Sequence, residues 1–162
     1  FMYIGAIYNN GVISKYRKWE DFISYFDSLS SLCSKNERYI IWVHNLSFEF
    51  QFMKDWIKFS DVFARKSHNI IKCVYKNIEF RDTLALSNCK LEKLAENEKL
   101  PVQKASGDLD YSLIRHQSSR LDSVEEHYVD MDVIVLAEYI KKKVKEYGRL
   151  EEIPMTSTGE VR

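Results

Sequence analysis

Five consecutive apolar residues, Tyr39-Ile40-Ile41-Trp42-Val43, constrain the fold of this chain more than any other feature. A run of this length without polar alternation is typical of a strand that is buried on both faces of a sheet. A strand of this kind needs helices on both sides of its sheet. The run therefore predicts an α/β protein.

The segments around this run predict a mixed sheet with flanking helices. Asn9-Asn10-Gly11 separates two β-prone runs, at 2–8 and 12–17, which indicates a hairpin. Ser47 is expected to cap a helix that begins at Phe48 and buries a stripe at positions 48, 52, 53, 56 and 57. Other periodic or β-prone segments predict a helix at 20–32, strands at 61–65, 69–75 and 78–82, a short helix at 90–98 and a long helix from an Asp122 cap to about Lys145.

Composition excludes several classes of protein. The 24 basic and 24 acidic residues balance, which argues against a protein that coats a polyanion. Three cysteines without a C-x-x-C pair indicate buried or free thiols in a reducing cytosol, and the sequence has no run of 18 apolar residues that predicts a membrane span. The chain opens inside an apolar run and closes on small polar residues, so we expect a segment of a longer protein, with a domain at 1–150 and a linker at 151–162.

Glu49 is the first candidate for chemistry. It follows the end of the central strand, where ligands bind in open α/β sheets. At 100° per residue, its side chain falls within the predicted apolar stripe of its helix, and a carboxylate there needs a metal, a cation or a proton. The alternative is that Glu49 only complements the helix dipole from the first turn.

Tyr128 and Asp132 form the second candidate. Their spacing of four residues places both on one side of the last helix, at the flank of its apolar stripe. A phenol and a carboxylate in this arrangement can converge on a metal and a water molecule. The alternative is a half-buried tyrosine beside a solvated aspartate, and Asp130 is expected at the surface.

Together these segments resemble the second and third exonuclease motifs of protein-primed family B DNA polymerases of bacteriophages. The resemblance is carried by His44-Asn45-Leu46-Ser47-Phe48-Glu49 and by Tyr128-x-x-x-Asp132. Between them, Phe80-Arg81-Asp82-Thr83-Leu84 and Gly107-Asp108-Leu109-Asp110-Tyr111 are similar to further segments of that family. The similarity covers nearly the whole chain.

The resemblance implies a ribonuclease H-like fold and 3′-to-5′ proofreading of single-stranded DNA with two Mg²⁺ or Mn²⁺ ions. It implies that Glu49 and Asp132 are metal ligands and that Tyr128 orients the attacking water, with Lys104 as the candidate lysine near the scissile phosphate. Contacts to the DNA 3′ end would come from six residues: His44, Asn45, Phe48, Thr83, Leu84 and Tyr111. It also implies a terminal priming protein as partner, no membrane contact and a location in the cytoplasm of a bacterial host.

The sequence departs from the family in two places. Glu49 stands where the family often has Asp, and the first exonuclease motif, an Asp-x-Glu strand, is absent, since the acidic Glu20 and Asp21 open a helix. We therefore expect the first strand of the sheet to be missing, activity to be low, and the chain to self-associate through unpaired sheet edges. The alternative functions are a nonenzymatic α/β module that binds single-stranded nucleic acid or a protein, and a standalone nuclease, for which the carboxylates are too few.

Overall fold

The computed structural model describes residues 2–102 and 112–159. Its strands are β1 (Gly5–Asn9), β2 (Val12–Tyr16), β3 (Tyr39–Val43), β4 (Asp61–Ala64), β5 (Ile70–Tyr75) and β6 (Ile78–Asp82). Its α-helices are α1 (Trp19–Ser31), α2 (Leu46–Met53), α3 (Thr83–Ser87), α4 (Leu91–Asn97) and α5 (Ser123–Tyr147). Two short 3₁₀ turns, Leu150–Glu152 and Ser157–Gly159, follow α5.

Four of the strands form a mixed sheet in the order β3-β6-β5-β4. β3 runs parallel to β6, and the β6–β5 and β5–β4 pairs are antiparallel. β1 and β2 form a separate hairpin, as the Asn10-Gly11 turn predicts. The prediction of an α/β fold with a mixed sheet is confirmed.

The core lies on both faces of this sheet. Ile41 and Val43 of β3 pack against a cluster that includes Phe26 and Leu46, whereas Trp42 packs against a second cluster around Tyr139. Successive residues of a strand point to opposite faces, so β3 contributes to both clusters, as its uninterrupted apolar run predicts. α1 and α2 thus cover one face, and α4 and α5 cover the other.

The outer edge of β3 differs from the edge shared with β6. Within residues 2–102 and 112–159, β3 pairs with β6 alone, and the β1–β2 hairpin forms no ladder with it. That the first strand of the family's sheet is missing from this chain stays a prediction.

Both ends of α5 follow their sequence signals, and the start of α2 does not. Asp122 caps α5 in a capping box with Glu125, and Gly148, at φ +84°, ends the helix. The prediction that Ser47 caps α2 is wrong, because α2 begins at Leu46 with Asn45 as its N-cap. The Ser47 hydroxyl instead bonds to the backbone of Ile70.

The C-terminal stretch beyond α5 contacts the core. Ile153, within the stretch expected to be a linker, is buried in the cluster around Tyr139. None of the helices in the described residues combines the length and apolarity needed to cross a bilayer.

Candidate functional site at the carboxyl ends of β3 and β6

The candidate site lies where the parallel strands β3 and β6 end side by side. Val43 pairs with Asp82 at the last position of this ladder, and the chain then turns into α2 after β3 and into α3 after β6. The carboxyl ends of neighbouring parallel strands are the usual place for a ligand in a sheet of this type. This placement brings His44 against Thr83 and the start of α2 against Asp82.

A direct hydrogen bond joins the two turns. His44 Nδ1 lies 3.0 Å from Thr83 Oγ1, and the Thr83 hydroxyl donates to the carbonyl oxygen of Val43 at 3.2 Å. Since the hydroxyl has a single proton, Thr83 accepts from a protonated His44 Nδ1. Thr83 is fully buried, so it orients the His44 ring rather than presenting its own hydroxyl to a ligand.

Asp82 holds the starts of both helices. Its carboxylate accepts hydrogen bonds from the backbone N–H groups of Leu84 and Ala85 in α3, at 3.0 and 3.2 Å, and from that of Leu46 in α2, at 3.2 Å. Burial raises the pKa of Asp82 above its ordinary value, and these hydrogen bonds act in the opposite direction. No role of Asp82 was predicted from the sequence, although an Asp between a strand and a helix is itself a signal for an N-cap.

Asn45 adopts a left-handed backbone conformation, with φ at +61°, as it leaves β3. Asparagine tolerates this conformation better than most residues, which explains the residue type at this turn. The Asn45 side chain makes no capping bond to α2 and is exposed. It therefore remains accessible to a ligand at this end of the sheet.

Two aromatic rings lie exposed on α2 beside this turn. Phe48 is 56% and Phe52 51% exposed, and their ring centroids are 5.1 Å apart. Trp56 is also half-exposed, so the predicted burial of the whole stripe is wrong, and only Met53 and Ile57 are buried. The reason is that α2 packs on the sheet along one side only, which leaves a helix rich in phenylalanine with an aromatic outer side.

Glu49 lies between the two exposed phenylalanines in sequence. The expectation that it lies along a buried stripe is wrong, since its side chain reaches solvent. Neighbouring protein atoms nevertheless limit the hydration of its carboxyl, and this desolvation raises the pKa of Glu49 above its ordinary value. The carboxylate is accessible and poorly solvated, which favours capture of a cation or a proton.

Tyr128 and Asp132 lie on α5 and are half-buried. α5 packs against β1 and β3, so the helix joins the hairpin to the sheet. Asp130, expected at the surface, is half-buried and pairs with Lys15 of β2 at 2.9 Å. Convergence of Asp132 on the position of Glu49 stays a prediction.

Two predicted site residues, Lys104 and Tyr111, lie outside the described residues. Among those that are described, no group of three or more His, Cys, Asp or Glu side chains is arranged to hold a metal ion. Glu49 and Asp132 by themselves are too few for two divalent ions, which require several carboxylates.

Comparisons with known proteins agree on the fold. No protein-family model and no curated protein sequence matches the chain. Among solved structures, Phi29 DNA polymerase with single-stranded DNA matches at a TM-score of 0.75 and 17% identity, over 94% of this chain and 29% of the polymerase.

Two other structures of the same polymerase match similarly. The complex with primer-template DNA and incoming nucleotide gives a TM-score of 0.72 at 18% identity, over 91% of this chain and 27% of that one. The post-translocation complex with primer-template DNA gives a TM-score of 0.74 at 17% identity, over 91% of this chain and 28% of that one. The chain thus has the fold of one part of this polymerase and spans less than a third of its length.

Proposed function

We propose that this chain is the 3′-to-5′ proofreading exonuclease portion of a phage-type DNA polymerase and that it holds the 3′ end of single-stranded DNA at the carboxyl ends of β3 and β6. The observation that carries the proposal is the exposed Phe48–Phe52 pair flanking Glu49 at that place. The fold shared with a polymerase that was solved with single-stranded DNA supports it.

In this proposal the phenylalanine rings bind the bases. When a base stacks on an exposed ring, apolar surface of the ring is removed from water. Each stacked base contributes roughly 1 to 3 kcal/mol to the binding free energy. Asn45 and the His44 ring, oriented by Thr83, would supply polar contacts, and the resemblance implies further contacts from Leu84 and Tyr111. Stacking is independent of base identity, as a proofreading site requires.

For hydrolysis, Glu49 and Asp132 would supply two of the metal ligands and Tyr128 would orient the attacking water, and the resemblance implies that Lys104 would act at the scissile phosphate. Two bound Mg²⁺ ions activate water and stabilise the leaving oxygen in chemistry of this type. The remaining carboxylates would come from an Asp-x-Glu strand along the outer edge of β3, the edge without a partner within the described residues. Without that strand, we expect self-association through this edge.

The wider context rests on the resemblance alone. The parent polymerase would work with a terminal priming protein in the cytoplasm of a bacterial host. Residues 1–150 would form the exonuclease domain, and 151–162, which packs on the core at Ile153, would lead towards the polymerase domain.

Substitution of the two exposed rings tests the binding part of the proposal. Phe48→Ala with Phe52→Ala should weaken binding of a fluorescent dT12 at least about 30-fold in anisotropy titrations, because both stacking surfaces are lost. The melting temperature should change little, since both rings are half-exposed. Leu32→Ala, at an apolar residue that is 72% exposed after α1, is the matched control and should bind as the parent chain does.

The same titrations compare binding of single-stranded and duplex DNA. The parent chain should prefer dT12 to a blunt duplex of similar length. Equal binding by the double variant and the parent chain would remove the proposed base-stacking surface.

A nonenzymatic module that binds single-stranded nucleic acid is the second candidate. It is favoured by the lack of any three-residue metal-binding group among the described residues. Divalent ions distinguish the two: Mn²⁺ should strengthen dT12 binding in the parent chain but not in Glu49→Gln if that carboxylate holds a metal. A binding module would respond equally in both chains.

A further inference from the structure

The segment 58–72, which includes β4, the start of β5 and the turn between them, carries an excess of positive charge on a chain that is neutral overall. From Lys58 to Lys72 the sequence has four basic residues and one acidic residue, against 24 of each in the whole chain. The acidic residue, Asp61, pairs with Lys72 at 3.5 Å, which leaves Arg65 and Lys66 as the free cations of the turn. Within the described ranges, neither of them forms an ion pair, and both are exposed.

The turn is closed by its own backbone. The Arg65 N–H donates to the Asn69 carbonyl at 2.9 Å, and the Asn69 N–H donates to the Lys66 carbonyl at 2.9 Å. These bonds fix the backbone that carries both cations before any ligand arrives. A preorganised pair of cations loses less conformational entropy on binding than two cations on a flexible loop.

Ser47 places this turn beside the candidate site. Its hydroxyl accepts from the Ile70 N–H at 2.8 Å and donates to the Ile70 carbonyl at 3.3 Å. Ser47 precedes Phe48 on the first turn of α2, and Ile70 directly follows the basic turn. At most about 14 Å of extended chain separates Lys66 from Ile70, which limits how far the turn can lie from the start of α2.

We propose that Arg65 and Lys66 bind backbone phosphates of the same single strand whose bases stack on Phe48 and Phe52. This inference rests on the proposed function and adds a second contact region to it. Charge selects the ligand: a strand that stacks its bases on α2 carries a phosphate for every base, and Arg65 and Lys66 are exposed cations on the turn that Ser47 ties to α2. The contact is sequence-independent, like the stacking that it supports.

The salt dependence of binding tests the proposal. Arg65→Gln with Lys66→Gln should lower the affinity for dT12 about tenfold at 50 mM KCl. The slope of log K against log[KCl] should become shallower by about 1.4, because each phosphate contact on a single strand contributes about 0.7 to the slope. Lys35→Gln with Lys145→Gln removes the same charge from exposed positions after α1 and near the end of α5, and should keep the parental slope.

The possible outcomes separate this inference from the proposed function. Suppose that the parent chain binds dT12 and that Phe48→Ala weakens this binding. If the Arg65/Lys66 variant then keeps the parental slope of log K against log[KCl], the phosphate contact is overturned and the stacking surface stands. An equal loss in the Lys35/Lys145 control would assign the effect to overall charge and overturn it as well. If the parent chain does not bind dT12, both proposals fail.

Discussion

Glu49 is a carboxylate that the fold holds in a poorly hydrated position. A carboxyl with a raised pKa in the folded state binds its proton more tightly when the chain is folded, so its ionisation lowers the stability of the fold at neutral pH. Glu49→Gln should therefore raise the melting temperature at pH 7 by a small amount, roughly 1 to 2 °C.

The pH dependence provides the control for this prediction. The cost of ionised Glu49 is fully present above its folded-state pKa and shrinks as the pH falls through that value. It vanishes below the ordinary pKa of 4.5, where the carboxyl is protonated in both states. Thermal melts at pH 7 and pH 4 should show the difference between the two chains closing at the lower pH, and a Glu49→Gln chain that is less stable at pH 7 would contradict the account.

Residue roles at the site were predictable only where they depend on neighbours in sequence. The position of Asn45, Phe48 and Glu49 after a buried strand follows from the local pattern. The bonds of Asp82 to Leu46 and of Ser47 to Ile70 join residues 36 and 23 positions apart, so no local pattern reveals them. Ser47 looked like an N-cap because its type suits one, but Asp82 already serves the start of α2.

At the scale of elements, Asp82 couples two helices and two strands at the site. Asp82→Ala removes the acceptor for three buried or half-buried N–H groups, and we expect it to lower the free energy of unfolding by roughly 2 to 4 kcal/mol. Asp82→Asn keeps one acceptor oxygen and should lose less. Urea unfolding at pH 7 measures both.

Asp122→Ala is the matched control for this prediction, because Asp122 also caps a helix but does so in an exposed position that serves α5 alone. It should cost about 1 kcal/mol. The Asp82 variants, unlike the Asp122 variant, should also weaken dT12 binding, since they release the start of α2. Similar losses in stability and unchanged binding for both Ala variants would contradict a coupling role for Asp82.

Most elements followed from period and turn signals, and the exceptions have physical reasons. The hairpin, β3, β5, β6, α1 and α5 lie where the patterns place them, and α3 was missed because five residues are too few to show a helical period. The exposed side of α2 was misjudged because periodicity indicates an apolar stripe but not how much of that stripe the sheet covers. That depends on where β5 and β6 lie beneath the helix, which is a property of the assembled fold.

At the scale of the whole molecule, the outer edge of β3 is the place at which the proposed catalytic strand would join the sheet. β3 is the strand that leads into Asn45 and Glu49, and its edge away from β6 has no ladder partner within residues 2–102 and 112–159. A strand added there would pair with β3 and run beside α5, which carries Asp132. An Asp-x-Glu pattern on such a strand would bring further carboxylates towards the two that the account requires.

Exonuclease activity after addition of that strand tests the central claim most directly. A chain extended ahead of Phe1 by roughly 15 to 25 residues that include an Asp-x-Glu strand should shorten a 5′-labelled single-stranded oligonucleotide from its 3′ end in Mg²⁺, as resolved on a denaturing gel. The 162-residue chain should show little activity, and Asp132→Ala in the extended chain should abolish it. Degradation from the 3′ end that persists after Asp132→Ala would contradict the placement of the active site.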